Sequence, residues 1–144
     1  LVYAAAKMQD MNELITKTCF LSAPEAADKL QQILASRQIR LFARISHSAA
    51  AKESGLELPF EELFIFGDPK VGTALMQENA ALGIELPLKI LIWQAEQTVI
   101  GYQDPAHLAG EYSINQNVTV LEKMSQLLAS LVDAVANVEA MKWH

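Results

Sequence analysis

Residues 88–104 read LKILIWQAEQTVIGYQD, and the way this stretch folds decides the architecture. Two runs of strand formers, Leu88–Trp93 and Thr98–Tyr102, face each other across the short Gln94–Gln97 link. So close a return makes an antiparallel hairpin, although no Asn-Gly pair marks the turn. A hairpin argues against a wholly parallel sheet. Setting Trp93 opposite Thr98 pairs Leu91 with Ile100 and Lys89 with Tyr102. One face then carries Leu88, Ile90, Ile92 and Val99. The other carries Lys89, Leu91, Trp93, Ile100, Tyr102 and Asp104. Neither face is simply polar.

Outward from the hairpin, the chain supplies what covers one of those faces. Residues 13–20 form a short strand. Ser22 opens an S-x-x-E capping box with Glu25, and Ala26, Leu30, Ile33 and Leu34 share one face of a helix over 23–37. The stretch RQIRLFARIS alternates through Leu41, Ala43 and Ile45 as a second strand, followed by a short helical turn closed by Gly55. Residues 62–67 make a third strand. Gly67-Asp68-Pro69 then starts a helix with Asp68 as N-cap, Pro69 in its first position and Gly83 just past its end. Asp104-Pro105 begins a short turn. From about Asn117 to Val138, the residues Val120, Leu121, Met124, Leu127, Leu128, Leu131, Val135 and Val138 form one apolar stripe. The order is strand, helix, strand, strand, helix, strand, strand, long helix. This is an α+β two-layer sandwich: a mainly antiparallel sheet with helices packed on one face. Helices on one side leave a second, largely apolar face to be shielded by a partner subunit, a ligand or a flap, and a symmetric homodimer is the expectation.

The chain has 144 residues, enough for one domain with a substantial core, and 51% of them are hydrophobic. A single domain is expected over 13–144, with residues 1–12 as an N-terminal extension or a remnant of processing. Net charge is −6, with 11 Lys and Arg against 17 Asp and Glu. That balance disfavours nucleic acid and anionic membrane surfaces as partners. The single cysteine, Cys19, excludes an internal disulfide and reads as a buried, inert thiol on the first strand. No run approaches the length of a membrane span. A cytoplasmic protein is the expectation, with an exported form left open.

Strong chemical motifs are missing. Gly67 and Gly72 have four residues between them, but Thr73 follows where a phosphate loop needs Lys-Ser or Lys-Thr, so the segment is a capped corner. No metal motif joins His47, His107 and His144, and no cofactor is implied. Met76, Met124 and Met141 read as core fillers. Arg44 and Lys89 sit among apolar strand neighbours, so each must reach a rim, pair with a carboxylate or face a polar pocket. Two outcomes follow: a Lys89–Asp104 ion pair at the sheet end, or a pocket rim of Arg44, His47, Lys89, Tyr102 and Asp104 that holds a small polar or anionic ligand. The enzymatic alternative is general acid–base chemistry by His47, Lys89 and Asp104.

These residues fall in a pattern that resembles the bacterial "domain of unknown function 302" family over about 13–136. The segments that carry it are Phe-Ala-Arg-Ile-x-His at 42–47, Leu-x-Ile-Phe-Gly-x-Pro-Lys at 63–70, Leu-Pro-Leu-Lys at 86–89 and Tyr-x-Asp-Pro at 102–105. The resemblance implies a two-layer α+β fold of TATA-binding-protein-like architecture, without DNA binding. It also implies a dimer, and it brings no established reaction. The family's motif residues map onto Arg44, His47, Gly67, Pro69, Lys70, Pro87, Lys89, Tyr102, Asp104 and Pro105. Where the family often has an acidic, Gly-containing hairpin turn, this chain has the shorter QAEQT.

Overall fold

A computed structural model describes residues 13–137. The N-terminal extension, Val138, Met141 and His144 lie outside the described residues. Strands β1 (Ile15–Cys19), β2 (Arg40–Ser46), β3 (Glu61–Gly67), β4 (Leu88–Gln94) and β5 (Thr98–Tyr102) form one sheet in the order β1-β5-β4-β3-β2, every pair antiparallel. Helices α1 (Ala23–Ser36), α2 (His47–Glu53), α3 (Pro69–Glu78), α4 (Leu108–Glu111) and α5 (Val118–Ala136) accompany the sheet in the described residues, with short 3-10 turns at Ala80–Glu85 and Pro105–His107. The architecture is the α+β sandwich expected from the sequence.

Local signals explain the element ends. The capping box at α1 is formed in both directions, Glu25 N–H to Ser22 Oγ and Ser22 N–H to Glu25 Oε1, each 3.2 Å. Gly55, one residue beyond the α2 cap, has φ +76°, a left-handed conformation that favours glycine. Gly83 does not close α3. Asn79 ends that helix instead, and its side chain accepts from Ala81 N–H to start the 3-10 turn that contains Gly83.

Leu30, Leu34, Leu121, Leu128 and Leu131 of α1 and α5 press onto Phe64, Phe66, Ile90, Ile92 and Ile100 of the sheet, all of them buried. The hairpin is shifted by one residue from the sequence register. Ile92 faces Ile100, Trp93 faces Val99 and Leu91 faces Gly101. With a side-chain period of two, that single step moves Ile100 and Tyr102 from the outer face into the core and puts Val99 outside. Trp93 explains the shift sterically. Its ring lies across Gly101, where an added Cβ would come within 3.1 Å of Cζ3. Strand β2 departs as well. Leu41 faces Phe66 and Ala43 faces Ile65, so Phe42 is an extra, bulged residue. Beyond it the parity inverts, and Arg44 rather than Ile45 points toward the helices.

The α5 amino end is fastened by Glu78. Its carboxylate accepts from the backbone N–H groups of Asn115, Gln116 and Asn117 at 2.6, 3.0 and 3.0 Å. Donation by Asn115 and Gln116 holds the Glu78 carboxyl below its ordinary value of 4.5. A depressed carboxylate stabilises the fold above that ordinary value, and the contribution is lost as pH falls through the lower folded value. Glu78→Gln is therefore expected to lower Tm at neutral pH and to close the gap to the parent protein in acid. Thermal melts between about pH 3 and pH 7 check this; a gap constant with pH would disprove the role.

Candidate functional site

The Gly67-Asp68-Pro69 corner is a capped turn, as its spacing predicts. Asp68 accepts from Lys70 N–H at 2.9 Å, and Val71 and Gly72 N–H both return to the Asp68 carbonyl at 3.0 and 3.1 Å. Its own side chain and backbone therefore occupy the helix amino end. What the corner does create is a wall. Between it, the bulged start of β2, Leu86–Leu88 and the side of α5 lies a groove of about 890 Å³. Ile39, Phe42, Leu86, Leu88, Met124 and Leu127 supply its apolar lining, and Arg37, Arg40 and Lys70 its cations.

Each part of the groove has a local cause. Gly72 lets α3 approach Leu86, since a Cβ there would meet Leu86 Cδ1 at 3.3 Å. The β2 bulge turns Phe42 out of the regular pleat, and the Arg40 guanidinium stacks 4.8 Å from its ring centre. Arg37, at the α1 terminus, donates to Ser130 Oγ of α5 at 3.0 Å. Met76, a core filler by sequence, is 38% exposed and lines the groove.

The residues proposed from sequence as one pocket rim do not assemble. Arg44 is tied into a polar cluster on the helix side of β2. Its Nε donates to Glu62 Oε1 at 2.6 Å, Nη1 to Gln31 Oε1 at 2.7 Å and Nη2 to Asp28 Oδ1 at 3.0 Å. His47 is exposed and is the first residue of α2, whose amino end is capped by Ser46, the last residue of β2, accepting from Ala49 N–H at 3.0 Å. Lys89 projects from the opposite sheet face beside Ile65 and forms no ion pair among the described residues. Asp104 does not reach it, because the Asp104 carboxylate accepts from Ala106 N–H at 3.0 Å and from the Ser125 hydroxyl. Tyr102 is buried on the helix side, and burial, then the nearby Asp104 and Asp133 charges, pushes its phenol up from the ordinary value of 10.0. A smaller hollow of about 170 Å³ does unite Lys89 and Tyr102, together with Glu85 and His107. His107 donates Nδ1–H to the Asp104 carbonyl, with Nε2 3.5 Å from Glu111. Among the described residues no three His, Cys, Asp or Glu side chains gather as a metal site would require.

Sequence reasoning missed Arg37, Arg40 and Phe42 as a group. The clue was the RQIRLF run itself, with two arginines and an aromatic around a strand start; no periodicity marks a bulge.

A five-stranded antiparallel sheet with helices on one face defines a two-layer α+β scaffold, and a groove with a charged rim lies at its end. A domain of unknown function, DUF302, matches residues 15–131, and the chain belongs to this family. The crystal structure of an uncharacterized conserved DUF302 protein from Bacillus stearothermophilus superposes with a TM-score of 0.76 at 20% identity, covering 85% of this chain and 97% of that one. Likeness at that identity shows the shared fold. Two curated relatives, each the fluoride-specific ion channel FluC 1 of Brucella suis biovar 1 or Brucella abortus biovar 1, are 36% identical over 112 residues, or 76% of this chain. Those residues make up 44% and 42% of the relatives, so the chain spans less than half of their length.

Proposed function

We propose that this domain is a homodimeric module that binds a small molecule. The observation that carries the proposal is the groove beside the Asp68 corner. Its volume of about 890 Å³ lies within the range of small-molecule sites, and its walls are mostly apolar with a few charged groups. The second sheet face supports the dimer. Leu63, Ile65, Leu91, Trp93 and Val99 lie there half-buried, Ile45 is 40% exposed, and none is covered by α1 or α5. A second copy of the same face would bury that patch symmetrically. The acid–base alternative has no comparable support, since His47, Lys89 and Asp104 lie apart and Asp104 is already engaged.

The Brucella relatives fit an accessory role. They are named as ion channels, yet no described helix of this chain is long and apolar enough to cross a membrane. The matched stretch would then act in such proteins as an attached binding module rather than as the conducting path.

Native mass spectrometry of protein purified from its own host tests the proposal. The expected species is a dimer that retains a small molecule, and Ile45→Glu should shift it to monomer by placing charge in the shared face. An empty monomer of the parent protein would overturn the proposal.

A further inference from the structure

We infer that the groove between the start of β2, α3 and α5 takes an organic anion with an apolar body, such as a chain or ring carrying a carboxylate. This rests on the binding-module proposal and specifies its ligand. The charge distribution is the first reason. The protein carries net charge −6, yet among the described residues the groove gathers Arg37, Arg40 and Lys70 against one acid, Asp68. Asp68 is turned back onto its own helix. None of the three cations forms an ion pair among the described residues, whereas Lys17 and Arg44 both do. Cations left unneutralised around a concave surface in an acidic protein attract an anion and focus its approach.

The walls set the rest of the ligand. Phe42 is 41% exposed and Val71 36%, and with Met76 they offer water an apolar surface continuous with Leu86 and Leu127. A small inorganic anion would leave that surface wet. It would also find the α3 backbone donors already used, since Val71 and Gly72 N–H go to Asp68. An anion with an apolar body satisfies both halves: its head meets guanidinium and ammonium side chains, and its body covers Phe42 and Leu127. The bulge gives the geometry. It places Phe42 under Arg40, so that one stacked pair offers an apolar plane and a charged edge to the same molecule.

Calorimetric titration with three probes of one chain length, decanoate, decanol and decyltrimethylammonium, tests the inference. Decanoate is expected to bind about tenfold more tightly than the other two, and inorganic phosphate not at all at the same concentration. The double variant Arg40→Gln/Lys70→Gln changes two exposed side chains. It should keep the parent melting curve, weaken decanoate about tenfold and leave decanol unchanged. Lys52→Gln, on α2, should alter neither. Equal affinity for all three probes, or decanoate binding untouched by the double variant, would overturn the anion assignment and leave the binding module standing. Failure of every probe would also overturn it. The binding-module proposal falls with it only if the protein from its own host also carries no ligand.

Discussion

Replacing Arg44 by Met is expected to cost about 3 kcal/mol of folding stability. The reason lies in Glu62 rather than in Arg44. Glu62 is buried on the helix side of β3, next to Phe64, and Arg44 Nε is its hydrogen-bond donor at 2.6 Å. The same guanidinium bridges to Asp28 and Gln31 on α1 and lies 5.2 Å from the Phe64 ring centre. It therefore links the edge strand, its neighbour and the helix above them. Removing the cation strands a carboxylate in a low-dielectric layer, which is the expensive half of any buried pair. The double variant Arg44→Met/Glu62→Leu, which removes both charges, should recover most of the loss. Denaturant midpoints of the single and double variants measure this. A single variant as stable as the parent would show that water still reaches Glu62. Lys89→Met is the contrast: Lys89 is exposed, and the change should stay within about 0.5 kcal/mol.

Ile100→Ala is expected to cost about 3 kcal/mol, and Val99→Ala about 1 kcal/mol or less. Ile100 is 1% exposed beneath the helices, while Val99 stands on the outer face beside Trp93. Truncation at Ile100 opens a cavity that the rigid surroundings, Ile92 across the hairpin and the helix layer above, fill only in part. The pair of substitutions thus reads the hairpin register directly. With Trp93 opposite Thr98, as the sequence alone suggested, the two costs would be reversed. Equilibrium unfolding of both variants decides, and a larger loss at Val99 would refute the register.

These two cases also mark where the sequence stopped being informative. The hairpin was legible because two strand-forming runs return within a few residues. Its register was not, because both faces are apolar and the usual alternation gives no preference. Packing favours it: the Trp93 ring lies over a glycine, Gly101, where even a Cβ would sit 3.1 Å from Cζ3 and force the ring to give way. The second strand shows the same limit. Leu41, Ala43 and Ile45 read as one face, but the extra residue at Phe42 inverts everything after it. That inversion sent Arg44 to the helix layer, and together with the hairpin shift that buried Tyr102 it dispersed the rim proposed from Arg44, His47, Lys89, Tyr102 and Asp104. His47 stays outside the rim because Ser46, at the strand end, caps α2, and His47 opens that helix as an exposed residue.

By itself the sequence determined the elements, their order and the two-layer class, because helix periodicity, caps and hairpin closure are short-range and repeat over many residues. It also fixed Asp68 as the cap of a structural corner and the family to which the chain belongs. Only the tertiary structure decided which face each strand residue serves, and with it that Arg37, Arg40 and Lys70, spread over 34 positions of chain, border one groove. Facing is set by register and bulges, which follow from how neighbouring strands pack, and a single inserted residue changes it without altering any local pattern.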